Sequence, residues 1–122
     1  MNNCLRLVSY LALNIACVFY GVHGNAQVIP DSTTNTIVDT NGNNFNINQG
    51  DRAGNNLFHS FTEFSLPNGG IASFNNQADI VNIFSRVTGG NISDINGLIR
   101  ANGNANLFII NPSGIIFGEN AS

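Results

Sequence analysis

The run from Asn106 to Gly118, NLFIINPSGIIFG, limits the fold more than any other stretch of the chain. Two short apolar segments, Leu107 to Ile110 and Ile115 to Phe117, flank four residues with the chemistry of a tight turn. Asn111 suits the first position of a type I turn, Pro112 presets φ at the next, Ser113 is tolerated after it, and Gly114 suits the last. The reading is strand, turn, strand. The same alternation of apolar strand with Asn or Gly turn recurs down the chain, which predicts an all-β protein.

Composition narrows the partners. Charged residues make up 9% of the 122 residues, Lys is absent, and the formal net charge is −3. A basic surface for nucleic acid is therefore excluded. Asn is the dominant polar residue, a bias toward turns and uncharged side-chain hydrogen bonding that does not suit a helical bundle. The length allows at most one small domain.

Met1 to Ala26 is expected to be a cleaved secretory signal. Arg6 is followed by the apolar run Leu7 to Val22, and the small residues Gly24 and Ala26 precede Gln27. A membrane anchor is disfavoured because the run is short and no basic cluster follows it. Lipidation at Cys17 is disfavoured because Asn14 fits poorly and the apolar run continues past the cysteine. Both cysteines, Cys4 and Cys17, fall inside the signal, so residues 27–122 carry no thiol or disulfide.

After the signal, Thr36 to Val38 and Phe45 to Ile47 are strand-prone and frame a turn built around Asn41-Gly42. Asp39, Asn41 and Asn43 partly mimic a calcium loop, but Asn44 stands where Gly is needed and Gly50 where a bidentate Glu is needed. The hairpin is the expectation. In Leu57 to Phe64, aromatics fall on both faces, so this strand is expected to be sandwiched between layers, a bulge that re-aims part of the run being the alternative. Strands are also expected at Ile71 to Phe74, after the turn Pro67 to Gly70, and at Ala78 to Val87, where a short helix through Ile80, Ile83, Phe84 and Val87 is the alternative. Further turns are expected at Thr88 to Asn91, Asn96-Gly97 and Asn102-Gly103. Short strands punctuated in this way suit a sandwich or a solenoid. In a solenoid, aliphatic and aromatic stacks fill the interior and Asn side chains ladder at the turns, where stacked charges would repel. At about 20 residues per coil, the chain would supply roughly four or five coils.

NPSGI resembles the Asn-Pro-Asn-Gly-Ile motif of the two-partner secretion domain found at the N-terminus of filamentous haemagglutinin-like exoproteins. Asn111, Pro112, Gly114 and Ile115 match, and Ser113 stands where that family usually has Asn. NNLFHSFTEF, FNNQADIVNIFSRVTGGNISDINGLI and ANLFIINPSGIIFG are similar, in this order, to further blocks of that domain and cover most of Asn55 to Ser122. The family's other named motif, Asn-Pro-Asn-Leu, is missing in that form. The resemblance implies a right-handed parallel β-helix with N-terminal capping strands over residues 27–122, the N-terminal part of such a domain. It implies a secretion-recognition module of a surface or secreted adhesin, bound by an outer-membrane β-barrel transporter through its periplasmic domains and nucleating β-helix folding. Asn111, Pro112, Ser113, Gly114 and Ile115 are then the candidate recognition residues. Because known domains run well beyond Ser122, the chain is expected to be a truncated member with an open last coil, its host-cell or matrix contacts lying in the missing C-terminal region. A free-standing carbohydrate- or cell-binding β-helix, or a non-functional fragment, is the alternative.

The side chains available for catalysis after the signal also point to a non-enzymatic role. His59 is the one ring base after the signal, and no G-x-S-x-G or H-E-x-x-H arrangement occurs. A lone His in an apolar strand is expected to be structural. Asp51, Glu63, Asp79 and Asp94 could supply a carboxylate pair, but nothing in their spacing marks two as partners. No cofactor and no metal is expected.

Overall fold

The computed structural model describes residues 27–122, and the expected signal, Met1 to Ala26, lies outside the described residues. The strands are β1 (Val28–Pro30), β2 (Thr36–Asn41), β3 (Asn44–Gln49), β4 (Asp51–Ala53), β5 (Asn56–Phe64), β6 (Ile71–Phe74), β7 (Asn82–Val87), β8 (Ser93–Ile95), β9 (Leu98–Ala101), β10 (Asn106–Ile110) and β11 (Ile115–Phe117). From β5 onward every pairing between them is parallel: β5 with β7 and β7 with β10, β6 with β9, and β8 with β11. Parallel neighbours need a crossover between them. Here the crossover is the rest of the coil, so the chain winds along three faces and stacks on itself as a β-helix. The first coil runs β5, Leu66, β6, with Leu66 bridging to Ile95 below it. The second runs β7, β8, β9, and the third begins with β10 and β11.

Coil length differs from the expectation. Equivalent residues of the long face are 26 residues apart from Asn56 to Asn82 and 24 apart from Asn82 to Asn106. Asn75 to Val81 is a seven-residue connection that turns at Ala78 and Asp79, and Asn102 to Ala105 turns at Gly103 with φ +66°, as expected. Three coils therefore use the chain that was expected to supply four or five.

The N-terminal strands cap this winding, and of them only β3 runs with it. β1 and β4 pair antiparallel with the two halves of β5, while β2 and β3 form an antiparallel hairpin whose β3 edge continues in parallel into β6. The hairpin turn sits one residue later than the sequence suggests. Asn41 pairs with Asn44, and the loop is Gly42-Asn43 with φ +61° at Gly42 alone among the two. Gly at the first loop position is the type II′ arrangement, whose twist matches the strands.

Leu57, His59 and Phe61 of β5 face the interior, and the alternation then breaks so that Phe64 faces it too. The register of β1 skips a residue at the same place, with Ile29 opposite Glu63 and Pro30 opposite Phe61. The alternative, a bulge, is what the structure has. The strand is not sandwiched between layers, because Phe58 on the outer face is 38% exposed. Its ring stacks at 5.3 Å on Phe84, which stacks at 5.0 Å on Phe108, a column on the outside of the long sheet. Aromatics occur on both faces because like residues line up coil above coil, outside as well as inside. Ala78 and Asp79 form a turn and the strand is confined to β7, so the helical alternative is not adopted.

The interior is built from Phe45, Ile47, Phe61, Phe64, Leu66, Phe74, Ile83 and Ile95, all buried. The Asn ladder is present. Asn82 Nδ2 donates to Asn56 Oδ1 at 3.0 Å and Asn106 Nδ2 to Asn82 Oδ1 at 3.2 Å. Asn75 likewise donates to Asn48 at 2.9 Å on another face. An amide is donor and acceptor at once, so identical side chains satisfy one another at the coil spacing without charge.

Candidate functional site

The NPSG segment forms the turn between β10 and β11. Gly114 N–H donates to the Asn111 carbonyl at 3.0 Å, closing the turn, and Ser113 N–H donates to Asn111 Oδ1 at 2.9 Å. Ser113 does not have positive φ, which excludes type II, while Gly114 sits at φ +114°, a region that side chains disfavour. Asn111 also acts across coils. Its Nδ2 donates to the Asn91 carbonyl and to Ser93 Oγ of the second coil, both at 2.9 Å. Ser93 is fully buried, and its own N–H donates to the Gly114 carbonyl at 3.0 Å. Ile115 then pairs with Ser93 as β11 begins. One side chain thus closes its own turn and fastens that turn to the coil beneath.

The structure brings the five candidate residues together in one tethered projection. Pro112 and Ser113 are exposed at its tip, and they border a groove of about 310 Å³ with Arg86, Val87, Thr88, Gly90 and Ile110. Apolar Val87, Ile110 and Pro112 with a single cation offer shape and apolar contact. Proton-transfer groups do not line this groove.

Sequence reasoning missed Asp31, which anchors the neighbouring surface. Its Oδ2 accepts from Ser60 Oγ at 2.6 Å and Thr88 Oγ1 at 2.7 Å, and its Oδ1 accepts from Thr33 N–H at 3.0 Å and Thr33 Oγ1 at 2.6 Å. Arg86 completes the cluster by donating Nε to Ser60 Oγ at 2.7 Å and Nη2 to Thr33 Oγ1 at 3.0 Å. Partial burial opposes ionisation of Asp31, but the hydrogen bonds from Ser60, Thr33 and Thr88 outweigh it and hold the carboxyl below the usual carboxylate range. The local signal was Asp31-Ser32-Thr33, an Asp two residues before a hydroxyl residue, which favours an Asx turn. Its partners on β5 and after β7 carry no such local mark.

His59 is buried, its Nδ1 2.9 Å from Thr36 Oγ1, and its ring packs against Phe61 and Phe74. Burial pushes its pKa down to about 4, against an upward pull from Asp51. The ring is neutral at neutral pH and packed into the core. The acids each have their own partner: Asp51 accepts from Asn35, Glu63 from Asn91, and Asp79 pairs with Arg52 at 2.7 Å. Asp94 contributes backbone bonds to Ser65 and Leu66. Asp39, Asn41 and Asn43 lie along the hairpin end, with Asp39 accepting from Asn48 Nδ2 at 3.0 Å. Among the described residues no group of three His, Cys, Asp or Glu is placed to hold a metal ion.

The family model of the TPS secretion domain matches residues 26–122. No curated protein matches the chain.

Proposed function

Because the chain belongs to the TPS secretion domain family, a module of two-partner secretion exoproteins that works with an outer-membrane transporter, we propose that residues 27–122 are the segment such a transporter reads. Its periplasmic domains bind the projecting NPSG turn, and the β-helix described above nucleates the folding of whatever exoprotein chain is joined to it. The exoprotein is an adhesin of the haemagglutinin-like kind, and the module performs no catalysis. Met1 to Ala26 directs export to the periplasm and is removed before this encounter.

One observation carries the reading: Asn111 holds the turn rigidly on Asn91 and Ser93 while Pro112 and Ser113 stay exposed. A preorganised projection loses little freedom on binding, which favours recognition over a merely structural turn. The test is secretion in a bacterium supplying the partner transporter, with Pro112→Ala and Ser113→Ala as variants. Both are exposed, so folding should be retained while release into the medium drops by about tenfold. Unchanged release would reduce the turn to a structural element. A second reading, glycan binding, is favoured by an open cleft of about 910 Å³ lined by Asn43, Glu63, Asn91, Asp94 and Asn96. Retention of the exported chain on a neutral polysaccharide column, lost in Asp94→Ala, is the outcome it requires.

A further inference from the structure

Asn-Gly occurs four times in the chain, at Asn41, Asn68, Asn96 and Asn102. In this dipeptide an asparagine side chain is open to attack by its own backbone, since the glycine that follows has no Cβ to shield its nitrogen. The fold treats the four pairs differently. Asn102 is held at three atoms: its N–H donates to Asn76 Oδ1 at 2.9 Å, its Nδ2 donates to the Asn76 carbonyl at 3.0 Å, and its carbonyl accepts from Asn76 Nδ2 at 3.2 Å. Asn96 Oδ1 accepts from the Asn120 N–H at 3.1 Å, and Gly97 beside it is buried against the Gly70 carbonyl. Asn41 is the last rung of the hairpin, paired with Asn44, and turning its peptide toward its side chain would open the hairpin.

Asn68 has none of these restraints. Leu66 bridges to Ile95 and Ile71 pairs with Leu98, so the first coil spends four residues on a corner that the second turns with Asn96-Gly97 alone. Asn68 and Gly69 stand exposed at that longer corner, and among the described residues no hydrogen bond reaches either of them. Gly70 N–H closes the turn on the Pro67 carbonyl at 2.9 Å, and Gly69 sits at φ +81°, a type II turn with the Asn68-Gly69 peptide at its centre. Types I and II differ by a flip of that central peptide, so it rotates without breaking the closing bond, and glycine accepts either sign of φ.

We propose that Asn68 is a site of spontaneous self-modification, losing ammonia to its own backbone and ending as a carboxylate. The Gly69 nitrogen attacks Asn68 Cγ, a C–N bond forms, the Cγ–Nδ2 bond breaks, and the amide proton leaves with Nδ2 as ammonia. Water then opens the five-membered imide. Its hydroxyl goes to one of the two ring carbonyls and its proton to the ring nitrogen. Opening at one carbonyl leaves an aspartyl residue, and opening at the other leaves an isoaspartyl residue whose backbone runs through the side-chain carbon. The flanks of the turn stay in place, because the Leu66 carbonyl accepts from Asn96 N–H at 3.0 Å and the Gly70 carbonyl from Leu98 N–H at 2.9 Å. Either product adds a negative charge next to Pro67, which lines the open cleft that holds Glu63 and Asp94.

Peptide mapping of the purified protein tests this. Cleavage after Arg52, Arg86 and Arg100 puts the four Asn-Gly pairs on four separate peptides, each followed by mass while the folded chain is incubated at neutral pH. The 53–86 peptide should exchange NH for O at least about tenfold faster than the other three, whose turns must open first. Labelling by an isoaspartyl methyltransferase should rise with that mass change and be lost in Asn68→Gln. In concentrated urea the four rates should converge, since the dipeptide alone then counts. Equal rates in the folded chain, a faster change at Asn41, or no change at all while the urea-unfolded chain reacts overturns the proposal. So does a mass change that persists in the 53–86 peptide of Asn68→Gln.

Discussion

Asn111→Ala tests the link between the NPSG turn and the coil beneath it. The change removes two bonds from Nδ2, to the Asn91 carbonyl and Ser93 Oγ, and one to Oδ1 from Ser113 N–H. Asn91 and Ser113 are exposed, so water replaces much of what they lose. Ser93 is fully buried and water does not reach it. A buried hydroxyl left unpaired costs about 1 to 3 kcal/mol, and the two exposed bonds add roughly a further 0.5 kcal/mol. The expected loss is about 2 to 3 kcal/mol, carried mainly by Ser93. Removing both partners is far cheaper than removing one, so Ser93→Ala combined with Asn111→Ala should cost less than the two single changes together by at least about 1 kcal/mol. Urea unfolding of the exported forms of all four chains measures the cycle. A single-variant loss under about 0.5 kcal/mol, or strict additivity, would refute the argument that one side chain fastens the turn through Ser93.

Acid should weaken the fold through His59. Its pKa is about 4 folded against 6.5 for the free group, so the unfolded chain binds the proton more readily, and the contribution is complete above 6.5 and lost as pH falls toward 4. The shift corresponds to roughly 3 kcal/mol at most, read as a falling urea midpoint across that window, and a flat profile there would overturn it. Gly97→Ala should destabilise by about 1 to 3 kcal/mol, because a Cβ there collides with the Gly70 carbonyl and comes within 2.9 Å of the Pro67 carbonyl. Both obstacles are backbone and cannot swing aside, so a melting temperature equal to that of the natural chain would show that the first and second coils part more easily than their contacts imply.

Much of the fold was legible because its signals are local. The NPSG turn, the hairpin and the strands near Ile71 and Leu107 each follow from the preferences of a few adjacent residues, and the structure has them. The Asn ladder was legible for a different reason: a neutral amide is the side chain best able to stack on copies of itself. Where local reading failed, a distant contact decided. Phe58 looked like core by type, yet it stacks on Phe84 and Phe108 outside, since the inward places of β5 are filled by Leu57, His59 and Phe61. Asp31 looked like a loop residue, yet its bond to Thr88 spans 57 residues.

Sequence alone determined that this chain is all-β, sparing in charge, and turned by Asn, Gly and Pro at stated places, because φ preference and side-chain hydrogen bonding act within a turn. It also marked Asn111 to Ile115 as the segment to examine. Tertiary structure decided the length of a coil, the side of the sheet on which each aromatic column stands, the capping of β5 by β1 and β4, and the coupling of Asn111 to Ser93. Those depend on which residues the winding brings together, 24 to 27 residues apart along the long sheet and its neighbour and 18 apart for Asn111 and Ser93. That register is set by the packing of the whole interior, and no local period in the sequence encodes it.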